Sequence, residues 1–229
     1  MSRKNLVRSA HLSYFVSNRS NHMEWFYISQ EESWQVFSSL LSTSSVLYGA
    51  EIHAFVLSPN SYTMILSTPL SNLDRFMRYF QRESCREILR RSGRINHVFG
   101  ARYKWSLLGT PKAVAYSYKY LLRSSVRAGL VTNVEDYRFS SASRTCLMER
   151  EIPLVERFDP LWILVPRSHA DRMKWLNFPS TTELEELVGN ALRRSQFQFS
   201  KGNEIRLRLE KLAANYGVES APAPFSAEK

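Results

Sequence analysis

The sequence predicts an α+β protein, an antiparallel sheet laid down in the order β-α-β-β-α-β-α and followed by a helical C-terminal extension. Three observations predict it. Short apolar and aromatic runs, two of them separated only by the turn residues Ser58-Pro59-Asn60, alternate with long stretches of helical periodicity. An apolar content of 44%, with 13% aromatics, gives 229 residues enough material for a substantial core. The charge also changes character along the chain: residues 1–150 hold 20 Lys+Arg against 10 Asp+Glu, whereas residues 151–229 hold 11 of each, so a basic unit precedes a neutral one.

Residues 12–18 (LSYFVSN) are apolar and aromatic and read as the first strand, and residues 30–48 then carry apolar side chains at helical spacing. Residues 51–57 and 62–68 are β-rich, and the Ser58-Pro59-Asn60 turn between them makes a hairpin. From Leu70, the positions Leu73, Phe76, Met77, Phe80, Ile88 and Leu89 recur every three or four residues, one buried stripe of a long helix. Its other face carries Arg75, Arg78, Arg82, Arg86, Arg90 and Arg91, either a solvated face or a phosphate-attracting one. Residues 102–108 (RYKWSLL) read as a strand, and Pro111 suits the first turn of a helix running to about Arg127, with Gly129 as its cap. The core order is the ferredoxin-like, RRM-like arrangement, in which helices pack on one face of the sheet. Beyond it, residues 162–165 are a short apolar run stopped by Pro166, residues 181–194 read as a helix capped by Thr181 or Thr182, and residues 203–215 as another. The expected organisation is a domain over 1–145, a helical extension over 146–218 and a disordered tail over 219–229.

Cys85 and Cys146 are far apart and outside any C-x-x-C spacing, which argues against a zinc knuckle or a disulfide framework and fits a reducing compartment. The N-terminal residues lack the apolar stretch of a signal peptide, and no run approaches membrane-spanning length, so a soluble, cytoplasmic protein with no membrane partner is expected. The net charge of +10 is carried mostly by arginine with aromatics interleaved, which points to a polyphosphate partner, nucleic acid first.

Specific motifs sharpen this. In single-tyrosine HUH transposases the hairpin's second strand begins Met-Pro-Asn-His-x-His, and here Ser58-Pro59-Asn60-Ser61-Tyr62-Thr63 stands at that place. Their later helix carries Tyr-Ile-x-x-Asn-Pro-Val-x-Ala-Gly-Leu-Val, matched here by the twelve residues from Tyr120 to Val131 (YLLRSSVRAGLV). His97-Val98-Phe99-Gly100-Ala101-Arg102-Tyr103-Lys104 is similar to their Gly-His-x-Phe-x-x-Arg-Tyr-Lys segment, Glu135 to Ser141 to their Asp-Tyr-x-x-Ser-Ser end, and Tyr14 to Arg19 to their Tyr-His-Val-x-x-Arg. The matches fall in the right order over residues 10–143, and the chain resembles the REP-associated tyrosine transposases of bacteria.

That resemblance implies a nucleoid-associated protein whose partner is DNA, specifically a single-stranded hairpin, acting as monomer or homodimer. In the family a tyrosine hydroxyl attacks a phosphodiester beside a hairpin while Mg²⁺ or Mn²⁺ polarises the phosphate. Tyr120 is the corresponding nucleophile. The metal positions are Ser61 and Thr63 in place of histidines and Ser124 in place of asparagine, all neutral hydroxyls, so no metal cofactor is expected and strand cleavage should be impaired. The DNA contacts implied are Arg19, Arg102, Tyr103, Lys104, Arg123 and Arg127, with Arg193 and Arg194 in the extension. There Phe197 and Phe199 read equally as a DNA contact or as a docking segment. Two other readings stay open: an active single-strand transposase with a metal site rebuilt from His53 or a carboxylate supplied from elsewhere, and an RRM-like RNA binder or regulatory scaffold that kept only the fold.

Overall fold

The computed structural model describes residues 5–95 and 97–199; the helix expected at 203–215 and the tail from 219 lie outside the described residues. Four strands, β1 (Ser13–Arg19), β2 (Glu51–Ser58), β3 (Ser61–Ser67) and β4 (Lys104–Leu108), form one sheet in the order β2-β3-β1-β4, every neighbouring pair antiparallel. This is the order that the ferredoxin-like connectivity requires. The hairpin sets β3 beside β2, and the helical crossovers return the chain so that β1 lies between β3 and β4.

The first crossover is α1 (Gln30–Tyr48) and the second α2 (Leu73–Ser92). A capping box at Ser29 and Glu32 starts α1, and the left-handed Gly49 (φ +59°) ends it. Helix α2 starts three residues later than the apolar spacing suggested: Ser71 adopts φ +53°, and Leu70 lies on the surface before the helix. Both helices cover one face of the sheet, where Trp34, Phe37, Leu41, Phe76, Met77 and Phe80 meet Tyr14, Phe55, Tyr62 and Met64.

The opposite face departs from the expectation of helices on one side only. Phe15, Ala54, Val56, Ile65 and Leu108 on that face are apolar too, and α3 (Pro111–Leu122) packs over them. Strands apolar on both faces need cover on both. The helix predicted to run to Arg127 is broken at Arg123, where φ −81° and ψ 1° separate α3 from the short α4 (Ser124–Arg127); Gly129 does take the left-handed conformation after it.

Beyond α4 the chain forms α5 (Arg144–Glu149), α6 (His169–Asn177) and α7 (Thr182–Leu192), the last capped by Thr181. The apolar run at 162–165 forms no strand; it follows a 3-10 turn, Pro160–Trp162, and buries Trp162 and Val165 against α3. Trp162, Leu176, Leu184, Val188 and Phe197 join the same apolar cluster as α3. Segments from beyond β4 also line both outer strands. Phe139 to Ser141 run antiparallel to β2, with the Leu57 N–H donating to the Phe139 carbonyl and the Ser141 N–H to the Phe55 carbonyl; Val155 bonds to Ile52. On β4, Leu107 exchanges backbone bonds with Ser195 and Phe197.

Candidate nucleic-acid interface

Cross-strand partners share a face of a sheet, so the register fixes which side chains stand together. Ser17 pairs with Thr63 on one side and Lys104 on the other, and Arg19 pairs with Ser61. By alternation these five lie on the face of Phe15 and Ile65, the face α3 covers. Phe15 and Ile65 are buried, whereas Ser17, Ser61 and Thr63 are half-buried and Arg19 and Lys104 exposed. Helix α3 therefore leaves one end of the sheet open as a shelf of hydroxyls flanked by two cations. Among the described residues no group of three or more His, Cys, Asp or Glu side chains could hold a metal ion. The donor set at the shelf does not fit a divalent cation: neutral hydroxyls bind one weakly, and Arg19 and Lys104 in the same rows repel it. A phosphate oxygen is the ligand that hydroxyl donors and cations both favour.

Tyr120 sits on α3, its ring 6.5 Å from that of Phe15, the β1 residue next along this face from Ser17. Ser124 belongs to α4, beyond the break at Arg123. Tyr120 is packed against both α4 and α7. The Arg127 guanidinium lies 3.9 Å from its ring centroid and donates to its carbonyl (3.3 Å). On α7, a Cβ built at Gly189 would fall 3.0 Å from the Tyr120 hydroxyl, so the phenol rests against bare helix backbone. Glu185 on the same helix lies 3.9 Å from both Arg123 and Arg127. Lys119 is buried in this junction, packed over the Trp175 and Phe178 rings, and burial, reinforced by Arg123, pushes its pKa down to about 8.

The remaining candidates divide. Tyr103 is 6% exposed, in the core against the α1/α2 face, and burial raises its pKa, so its ring has no open face for a base to stack on. Arg123 is 8% exposed and donates to the Leu176 carbonyl (2.6 Å), a tie between α3 and α6 rather than a surface cation. Both departures have the same cause: an aromatic or arginine in a basic motif can be satisfied inward as well as outward. Arg19, Arg102, Lys104, Arg127, Arg193 and Arg194 are exposed. Phe197 is buried and Phe199 packs on it and on Tyr116, which is the docking role.

His53 is far along the sheet from Ser61, at a register shift in β2. Its Nδ1 bonds the Val155 carbonyl (2.8 Å) and its Nε2 the Ser67 hydroxyl (2.9 Å), its ring sits edge-on to Trp162, and burial pulls its pKa down to about 4. It is a core imidazole with both nitrogens engaged and is not a substitute ligand at the shelf. Sequence reading missed Lys119, Glu185 and Gly189. The spacing of Lys119, Arg123 and Arg127 at i, i+4 and i+8 was a visible signal of a cationic stripe on one helix face.

No protein-family model matches the chain, and no curated protein matches it by sequence. Solved structures do. One is a REP-associated tyrosine transposase bound to a REP hairpin, 18% identical, with a TM-score of 0.52 over 70% of this chain and 93% of that one. Another, a Deinococcus radiodurans R1 protein provisionally classed as a transposase, is 11% identical over 66% of this chain and 97% of that one, with a TM-score of only 0.36. At the level of the fold, this chain has the architecture of a REP-associated tyrosine transposase.

Proposed function

We propose that this protein is a transposase-like DNA-binding protein that recognises single-stranded hairpin DNA of the repetitive extragenic palindromic type and does not cut it. The observation that carries the reading is the shelf: where the resemblance calls for metal-binding histidines, Ser61 and Thr63 stand on β3 paired with Arg19 and Ser17, beside Lys104. This composition suits a phosphate and not a divalent cation. The hairpin-bound transposase of the same fold supports the choice of ligand. Phosphoryl transfer depends mostly on neutralising charge that develops at the phosphate, so a site without a metal keeps binding and loses most of its rate.

The packing around Tyr120 bears on the same conclusion: its phenol contacts Gly189 of α7 and its ring is covered by the Arg127 guanidinium, so attack on a phosphodiester would compete with these contacts. Incubation of the protein with end-labelled single-stranded hairpin DNA and Mg²⁺ or Mn²⁺ tests the proposal. Hairpin binding without a covalent protein–DNA adduct is expected. An adduct that disappears in Tyr120→Phe would show that cleavage survives, indifference to hairpins at moderate salt would remove DNA as the ligand, and a strong preference for RNA would favour an RNA-binding relative of the same scaffold.

A further inference from the structure

The arginine face of α2 is not uniform. Toward its C-terminal end Arg82 and Arg86 share Glu83, and Arg90 and Arg91 share Glu87, whose carboxyl these partners pull down to about 2. Four guanidiniums are thus partly neutralised by two carboxylates. Toward the N-terminal end, Arg75 and Arg78 are exposed and have no carboxylate within ion-pair distance among the described residues.

Arg78 lines an open groove bounded by the N-terminal strap (Asn5, Leu6, Arg8), the first turns of α2 (Asp74, Arg78, Gln81) and the segment entering β4 (Arg102, Tyr103). The one carboxylate in it, Asp74, is engaged by Arg8 at 3.0 Å, and that pairing lowers its pKa. This leaves Arg78 and Arg102 as two cations whose charge nothing in the groove offsets; Arg102 only leans on the Tyr103 ring and hydroxyl. Leu6 is the one aliphatic side chain in the wall, and Asn5 and Gln81 add neutral hydrogen-bonding groups.

We infer that this groove is a second binding site, for the sugar-phosphate backbone of nucleic acid, on the α2 side of the sheet and distinct from the Ser61/Thr63 shelf. Its chemistry is that of phosphate positioning: two unoffset guanidiniums and amides, with the buried Tyr103 ring as floor and no exposed aromatic to read a base. The groove is also within reach of the shelf. Arg102 lies in the groove and Lys104, two residues on and at most about 7 Å of chain away, faces the shelf beside Ser17, so one backbone can engage both by passing over the start of β4. The inference rests on the nucleic-acid reading above and extends its contact surface from Arg102, a contact that the resemblance implies, to Arg78 and Gln81 on α2, which it does not assign.

The test is the salt dependence of binding, because every phosphate that the protein ceases to neutralise lowers the slope of log K against log salt by a fixed amount. Arg78→Gln with Arg102→Gln, both exposed in the wild type, should lower the slope for a single-stranded hairpin by about 1.4 to 1.8. Arg144→Gln with Arg150→Gln removes the same two charges elsewhere on the surface and should leave it nearly unchanged. Circular dichroism confirms that both variants are folded. If the hairpin binds both pairs with the wild-type slope, the groove is not a contact site while the DNA reading stands. If both pairs lower the slope equally, the effect is one of net charge and the groove again fails. Should the wild type bind no nucleic acid, tripolyphosphate serves as probe: binding weakened only by the groove pair keeps the groove as an anion site without DNA, and no binding overturns both.

Discussion

Tyr120 and Gly189 face one another across α3 and α7 at a distance that tolerates no side chain at 189 without movement. Glycine in the middle of a helix costs about 1 kcal/mol relative to alanine, so α7 gives up local stability at the position where the phenol approaches. Gly189→Ala should therefore gain in helix propensity and lose through crowding of the phenol, and the two effects separate in a double-mutant cycle. With Tyr120→Phe the hydroxyl is gone, and Gly189→Ala should then be more stabilising than in the wild type by about 1 kcal/mol in urea midpoints. Strict additivity would show that the two residues do not press on each other. The same pair shows why a tyrosine in a familiar motif is an insufficient guide to its surroundings: its hydroxyl is packed against a residue 69 positions away with no side chain.

At the scale of elements, the motif residues that carry the family resemblance hold the edge of the sheet together. The Tyr137 hydroxyl donates to the Leu57 carbonyl (2.8 Å) and accepts from Gln30, and the Ser141 hydroxyl accepts from the buried Phe55 N–H (2.9 Å). Ser141→Ala leaves that N–H without its partner, and a loss of about 1–3 kcal/mol is expected by denaturant unfolding; an unchanged midpoint would mean that the backbone finds another acceptor. All four strands, α1, α2, α3 and α7 were legible, because periodicity, the Ser58-Pro59-Asn60 turn, Pro111 at the start of α3 and the cap at Thr181 are local signals. Helix α6 and the break at Arg123 were not. The first has little amphipathic contrast, burying only Leu176, and the second falls at Arg123, whose guanidinium makes a long-range bond to the Leu176 carbonyl that no window of sequence contains. The shelf was legible as to residues, since Ser61, Thr63, Arg19 and Lys104 were all singled out; the inward turn of Tyr103 and Arg123 was not, because burial of a polar group is decided by its tertiary partners.

For the molecule as a whole, acid stability follows from His53. Burial holds its pKa at about 4 against an ordinary value of 6.5, so between those values the unfolded chain takes up a proton that the folded chain refuses. The contribution of neutral His53 is complete above about pH 6.5 and is lost as pH falls toward 4, by about 3 kcal/mol. Wild type and His53→Gln compared at pH 7 and pH 4.5 should converge at the lower pH; parallel losses would place the acid sensitivity elsewhere. The neutral extension that supplies the Val155 carbonyl to this histidine also completes the core over α3, so the two halves that charge separates are joined by packing. A final consequence concerns self-association. Because Phe139 to Ser141 and Val155 occupy one outer strand and Ser195 to Phe197 touch the other, a second copy cannot add itself as a further strand at those positions without first peeling its own chain away. The sheet is insulated against templating its neighbours.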